Sequence, residues 1–128
     1  MAEKSTVSDI TIRKATSDDL IAISDFLKPF VTVGHLLPRT FDELEELLGT
    51  FFIAVNAEGE IMGCAALEIY SRKLAEIRSL AVSKKAQGQG VGSRLVDACV
   101  ELAREREVFE IMAISAEDGF FTKCGFNY

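Results

Sequence analysis

The sequence predicts one mixed α/β domain in which a mainly antiparallel sheet is flanked by helices. Short apolar segments follow one another in the middle of the chain and are joined by tight turns, as antiparallel strands are. Amphipathic helical segments lie before and after them. A later strand leads into a helix that returns to another strand, which is typical of a parallel crossover. At 128 residues the chain has the length of one domain, so we assign residues 1–128 to it.

The first part of the chain predicts one strand and two helices. Residues 10–13 alternate apolar and polar side chains, as a half-buried strand does. Thr16 or Ser17 offers an N-cap for a helix over residues 18–30, which carries apolar side chains at helical spacing. A second helix begins at Thr40, because Thr40 and Glu43 have the spacing of a capping box.

The remaining sequence predicts four strands and two helices. The strands cover residues 51–55, 60–69, 74–82 and 108–114. Asn56–Gly59 predicts a hairpin turn between the first two of these strands. The long helix after the third strand carries a buried face formed by Val91, Leu95, Val96, Cys99, Leu102 and Ala103. A short helix over residues 116–124 completes the order βααβββαβα.

Composition excludes several classes of function. The net charge of −6 counts against a nucleic acid partner, because basic surfaces bind phosphate backbones. No apolar run is as long as a membrane span, and the first residues lack the apolar stretch of a signal peptide. We therefore expect a cytoplasmic protein with no membrane partner. Cys64, Cys99 and Cys124 are predicted to be reduced core residues, and with His35 as the single histidine no metal site is expected.

A glycine-rich loop connects the third of these strands to the long helix. Gly88, Gly90 and Gly92 lack Cβ atoms, so a ligand can approach the backbone closely. Backbone N–H groups at a helix start form an anion site, and nearby basic side chains add positive charge. These are Lys84, Lys85 and Arg94. The loop therefore predicts a pyrophosphate cradle rather than a simple tight turn. It matches neither the dinucleotide fingerprint nor the P-loop.

The pattern Gln87-x-x-Gly90-x-Gly92, after a strand that ends Leu80-Ala81-Val82, resembles the acetyl-CoA motif of GNAT N-acetyltransferases. The segment 120–126 is similar to that family's last helix and Gly-Phe turn. The resemblance implies a GNAT-like fold whose last strand is missing here, and acetyl-CoA as co-substrate. It implies that Leu80, Ala81 and Val82 contact the pantetheine arm. It also implies that the pyrophosphate is held by Gln87, Gly88, Gln89, Gly90, Val91, Gly92 and Ser93.

A narrower resemblance links three segments to the acetyltransferase domain of N-acetylglutamate synthases. These are His35-Leu36-Leu37-Pro38-Arg39, residues 63–67 and residues 75–82. It implies acetylation of an amino acid, with L-glutamate as the best candidate, as in arginine biosynthesis. Arg39 corresponds to a substrate-binding arginine, and Arg78 is a second candidate for the substrate carboxylate. Glu68 departs from the pattern, since an acid there is expected to repel such a carboxylate.

Acetyl transfer requires a base that removes a proton from the ammonium group of the acceptor. Glu76 is our candidate, and period 2 predicts that Glu76, Arg78, Leu80 and Val82 share one side of the strand. The alternative is an exposed Glu76 paired with Arg78 or Lys73. Phe121 stands where many family members have a tyrosine, so the general acid stays open between Cys124, Ser115, Tyr70 and water, and departure of an unprotonated thiolate is a further alternative. By resemblance, backbone N–H groups of residues 80–82 polarise the thioester.

Two alternative functions remain open. The chain could acetylate a protein lysine or N-terminus, or it could be a non-catalytic module that binds acetyl-CoA or a partner. The sequence ends at Gly125-Phe126-Asn127-Tyr128, where the family continues into one more strand. The edge of strand 108–114 is then expected to pair in a homodimer, or else the chain is a truncated form.

Overall fold

The computed structural model describes residues 9–113. Five strands are present: β1 (Thr11–Lys14), β2 (Phe51–Val55), β3 (Ile61–Ile69), β4 (Leu74–Val82) and β5 (Glu110–Ala113). Three α-helices accompany them: α1 (Leu20–Thr32), α2 (Phe41–Glu46) and α3 (Val91–Glu105). Short 3-10 turns cover Ser17–Asp19, Leu48–Thr50 and Lys84–Ala86. The predicted helix over residues 116–124 lies outside the described residues.

The strands form one sheet in the order β1-β2-β3-β4-β5. The first three pairings are antiparallel, and β5 pairs parallel to β4 after the α3 crossover. This arrangement confirms the predicted mixed α/β fold. Tight turns join β2 to β3 and β3 to β4, so consecutive strands become neighbours without long connections.

Local hydrogen bonds confirm the predicted cap at Thr40, whereas α1 begins at Leu20 and not at residue 18, because a 3-10 turn occupies Ser17–Asp19. The Thr40 N–H donates to Glu43 Oε1 at 2.8 Å, and the Glu43 N–H donates to Thr40 Oγ1 at 3.1 Å, which is a complete capping box. At the first helix the Thr16 N–H donates to Asp19 Oδ2 at 2.8 Å. Arg13 binds the same carboxylate, and its hydrogen bond lowers the pKa of Asp19 to about 2. These contacts fix the entry to both helices.

The bounds of β5 differ from the prediction because the chain first has to close α3. Glu107 has a positive φ of 58°, and the Val108 N–H donates back to the Ala103 carbonyl. Such a turn satisfies the last helical carbonyls, so residue 108 cannot also be part of a strand. β5 therefore begins at Glu110 and not at residue 108.

The sheet has a core on each face. One core lies beneath α3, where the predicted stripe of six side chains is buried, and the other lies beneath α1 and α2. Cys99 belongs to the first core and Cys64 to the second, which confirms two of the three predicted buried cysteines. Burial raises the pKa of both thiols, that of Cys99 to about 12. Cys124 lies outside the described residues.

Gly63 permits close packing of α3 on β3. A Cβ atom at this position would lie 3.0 Å from Leu95 Cδ1, 3.1 Å from the Ala81 carbonyl oxygen and 3.3 Å from Val91 Cγ1. We expect Gly63→Ala to lower the free energy of unfolding by about 1–3 kcal/mol, because the backbone oxygen has little room to move. Denaturant unfolding measures this. Gly49→Ala is the control, since nothing lies within 4 Å there; equal losses in both variants would contradict the packing argument.

Candidate active site

A bulge in β4 divides the strand into two halves with different orientations. Ala66 pairs with Arg78 and Cys64 pairs with Ala81, so Ser79 and Leu80 together face a single residue of β3. Ser79 has a φ of 57°, which is uncommon for a residue with a side chain. No residue in this segment indicates the bulge, because glycine is the usual residue at such a φ and position 79 is a serine.

The bulge overturns one prediction about β4. Before it, Ala75 and Ile77 face α3, so that Glu76 and Arg78 lie on the face of α1 and α2. After it, Leu80 and Val82 pack against the core beneath α3. A strict alternation would have placed Ala81 in that core, but Ala81 lies in the core beneath α1 and α2. The expectation that Glu76, Arg78, Leu80 and Val82 share one side is therefore wrong. The two halves of the strand present different chemistry on the two faces of the sheet.

On the α1/α2 face, charged and polar side chains from β3, the turn after it, β4 and the segment before α2 form a polar cluster. We define it as Arg39, Glu68, Tyr70, Glu76 and Arg78. Glu68 Oε1 lies 3.3 Å from Arg78 Nη1 and 3.5 Å from Arg39 Nη2. Arg39 Nε also donates to Ser79 Oγ at 3.2 Å. The structure thus brings together the two arginines that the sequence proposed for a substrate carboxylate.

Glu76 is the nearly buried member of this cluster, with 9% of its surface exposed. The Tyr70 hydroxyl donates to Glu76 Oε1 at 2.7 Å. Glu76 also lies directly opposite Glu68 across β3 and β4. The alternative of a solvent-exposed Glu76 is therefore wrong, and the carboxylate is held in one orientation by a neutral donor.

The contact with Glu76 raises the pKa of the Tyr70 phenol, since the ionised phenol would face a carboxylate. We expect Tyr70 to ionise above the ordinary value of about 10, and its pKa to fall toward that value in Glu76→Gln. The hydrogen bond between Tyr70 and Glu76 therefore stabilises the fold fully at a pH below the pKa of Tyr70 in the unfolded chain. This stabilisation is lost as the pH rises through the pKa of Tyr70 in the folded protein. Ultraviolet titration, with Tyr70→Phe subtracted to remove Tyr128, measures it. An unchanged phenol pKa in Glu76→Gln would contradict the contact.

Two of the three glycines of the loop have the left-handed backbone that favours glycine, while Gly92 lies in the first turn of α3. Gly88 and Gly90 have φ values of 77° and 84°, and Gly90 is the N-cap residue of α3. A Cβ atom at either position would meet nothing within 4 Å, so the space beside the loop is open. The N–H groups of the first turn of a helix have no partner within the helix and attract anions.

Side chains of the loop support its shape. Gln87 Nε2 donates to the Val82 carbonyl at 3.2 Å, and Gln89 Nε2 donates to the Lys85 carbonyl at 3.4 Å. Of the basic side chains predicted to flank a phosphate, Lys85 pairs with the exposed Glu60 at 3.2 Å. Arg94 donates to the Ile10 carbonyl at 3.1 Å and thereby ties α3 to the start of β1. Lys84 is exposed beside the loop.

A cavity of about 380 Å³ adjoins the polar cluster on its α2 side. Its charged lining consists of three carboxylates and two guanidiniums, which are Glu43, Glu46, Glu68, Arg39 and Arg106. Glu68 and Arg39 belong both to this lining and to the cluster. A small polar molecule can therefore reach the cluster from this cavity, whereas the glycine loop begins beyond the far end of β4.

Comparison with known proteins identifies the class. The sequence profile of the acetyltransferase (GNAT) family matches residues 20–126, so this chain belongs to that family. Its members are acyltransferases with acetyl-CoA as co-substrate. The chain is 34% identical over 120 residues to an N-acetyltransferase of Chlorobaculum tepidum, covering 94% of this chain and 77% of that protein.

Two further proteins are similar to this chain. One is an amino-acid acetyltransferase of Mycobacterium tuberculosis, 29% identical over 91% of this chain and 67% of that protein. The other is a crystal structure of N-acetylglutamate synthase from Neisseria gonorrhoeae complexed with coenzyme A and N-acetylglutamate. Its TM-score is 0.80 and its identity 33%, over 89% of this chain. The chain spans only 27% of that synthase.

Two further findings concern membrane spans and metal sites. Among residues 9–113, none of the helices is long and apolar enough to cross a membrane. Over the same range, no group of three or more His, Cys, Asp or Glu side chains is arranged to hold a metal ion. Of the candidates for the general acid, Tyr70 lies in the polar cluster, while Ser115 and Cys124 lie outside the described residues.

Proposed function

We propose that this enzyme transfers the acetyl group of acetyl-CoA to the amine of a small amino acid, with L-glutamate as the leading candidate. The observation that supports this most directly is the convergence of Arg39 and Arg78 beside a nearly buried Glu76. Guanidiniums are suited to a carboxylate, and Glu76 is suited to the neighbouring amine. The amino-acid acetyltransferases among its relatives agree with this acceptor class.

The cofactor half of the proposed site is formed by the end of β4 and the glycine loop. Backbone groups of Leu80, Ala81 and Val82 are assigned to the pantetheine arm and to the thioester oxygen. The loop from Gln87 to Ser93, which includes Gly88, Gln89, Gly90, Val91 and Gly92, is assigned to the pyrophosphate. The open space at Gly88 and Gly90 and the start of α3 support this assignment. Acetyl-CoA supplies an acyl group on a good leaving thiolate.

Glu76 is assigned the role of base. An amino-acid ammonium has no lone pair, and a carboxylate that accepts its proton generates the amine that attacks the acetyl carbon. A positioned base contributes about 10²–10⁴-fold to such a step. The Tyr70 hydroxyl donates a hydrogen bond to Glu76 in the resting site, so we assign Tyr70 to the orientation of the carboxylate. As the new C–N bond forms, the C–S bond breaks. The nitrogen loses its second proton, and the departing thiolate takes up a proton from a general acid or from water.

An acceptor screen tests this proposal. Release of the CoA thiol is followed with single amino acids, with a lysine peptide and with a free peptide N-terminus. We expect turnover with amino acids, L-glutamate among them. Turnover with peptides alone would replace the proposal by protein acetylation, and acetyl-CoA binding without turnover would replace it by a binding module. A cytoplasmic location, a single domain over residues 1–128 and a homodimer through the edge of β5 remain predictions, the last testable by sedimentation.

A further inference from the structure

A carboxylate of the chain itself lies between the two guanidiniums that we assign to the acceptor. A single oxygen of Glu68, Oε1, lies 3.3 Å from Arg78 and 3.5 Å from Arg39. The Arg39 side chain is 11% exposed, while those of Glu68 and Arg78 are each 30% exposed. Partial burial reduces screening by water and salt, so this triad is held more firmly than an exposed surface pair.

The charges around the triad leave little positive potential for a second anion. Glu68 neutralises one of the two guanidiniums, so the three groups together carry one positive charge. Glu76 adds a negative charge directly across the two strands. In the adjoining cavity Glu43 and Glu46 outnumber Arg106. The single positive charge that the triad itself retains suits the α-carboxylate that every amino acid has, and a second carboxylate in the acceptor's side chain has to compete with Glu68 for a guanidinium.

We propose that Glu68 is a specificity-determining residue: it occupies Arg39 and Arg78 and lowers the preference for dicarboxylic acceptors relative to acceptors with an uncharged side chain. This inference rests on the proposed function in one respect, namely that acceptor carboxylates bind these two arginines. The Glu68 carboxylate competes with the carboxylates of the acceptor for Arg39 and Arg78. An α-carboxylate shares the triad with Glu68, whereas a dicarboxylate has to displace it.

Glu68→Gln separates the charge of this side chain from its size. The glutamine carbonyl can still accept a hydrogen bond from Arg39 or Arg78, so the site keeps its shape. Both guanidiniums then become available to an acceptor. A dicarboxylate gains more from this change than its half-amide does, because only the dicarboxylate has a second charge to pair.

The first measurement is the ratio of kcat/KM for L-glutamate to kcat/KM for L-glutamine. We expect this ratio to rise about tenfold in Glu68→Gln, with an unchanged KM for acetyl-CoA. The matched control is Glu45→Gln, an exposed residue of α2 that changes the net charge equally. A ratio that stays constant in Glu68→Gln, or rises equally in both variants, would overturn the proposal.

The second measurement does not depend on turnover. Glutarate and its half-amide glutaramate are titrated into the full chain in the presence of CoA and followed by calorimetry. We expect Glu68→Gln to bind glutarate about tenfold more tightly than the unmodified protein, with a smaller change for glutaramate. If no amino acid is turned over, the proposed function fails, while the glutarate titration still decides the role of Glu68. Equal changes for both ligands would exclude it.

Discussion

Replacement of Glu76 by glutamine is expected to lower kcat by about 10²–10⁴-fold, because the amide cannot accept the proton of the acceptor ammonium. The effect should fall on kcat and on kcat/KM for the acceptor and leave the KM for acetyl-CoA unchanged. Folding should be preserved, since Tyr70 can donate to the glutamine carbonyl as it does to Glu76 Oε1. Thiol release at saturating acetyl-CoA across a range of pH measures the loss.

The control for this variant is Glu101→Gln. Glu101 lies on the exposed side of α3, where it pairs with Arg104, so its removal changes the net charge equally without touching the polar cluster. We expect the control to retain the rate of the unmodified enzyme. A rate and pH profile in Glu76→Gln that match those of Glu101→Gln would rule out Glu76 as the base, and the amine would then be deprotonated by another group or by water.

Replacement of Gly90 by alanine is expected to weaken acetyl-CoA binding about tenfold or more. Gly90 has a φ of 84°, and an added Cβ would project into the open space that we assign to the pyrophosphate. A side chain in the left-handed region also costs about 1–2 kcal/mol of stability, so the loop becomes harder to hold in its binding form. Calorimetric titration of acetyl-CoA into folded protein measures the loss of affinity.

Gly59→Ala separates these two effects. Gly59 has a φ of 81°, and a Cβ there also meets nothing within 4 Å, but it lies in the turn between β2 and β3. The two variants should therefore lose similar stability, whereas only Gly90→Ala should lose affinity for acetyl-CoA. Equal affinities in both would show that the loop does not approach the ligand at Gly90. The phosphate would then have to lie nearer the first turn of α3.

Much of this fold could be predicted because it depends on local sequence. The buried stripe of α3 was predicted residue by residue, since a helix presents every third or fourth side chain to the sheet. Strands β2 and β4 were predicted with their observed bounds, because turns with clear polar signals delimit them. The capping box at Thr40 was predicted for the same reason, as it requires only two residues three positions apart.

The glycine loop that we propose for the cofactor was also evident in the sequence, since its glycines are chemically distinctive and close together along the chain. The acceptor side was not. Its members come from β3, β4 and the segment before α2, and their meeting depends on strand register. Glu68 was expected to repel a substrate carboxylate. Its pairing with both arginines depends on the register between β3 and β4, which the sequence does not show.

The sequence alone determined the elements, the family motif and the residue types available for catalysis, because each is encoded over a few neighbouring positions. The tertiary structure decided which way they point. The bulge at Ser79 reverses the alternation of β4 and assigns Glu76 and Leu80 to opposite faces of the sheet. A bulge arises from pairing between strands rather than from propensity within one, and for that reason no periodicity in the sequence could reveal it.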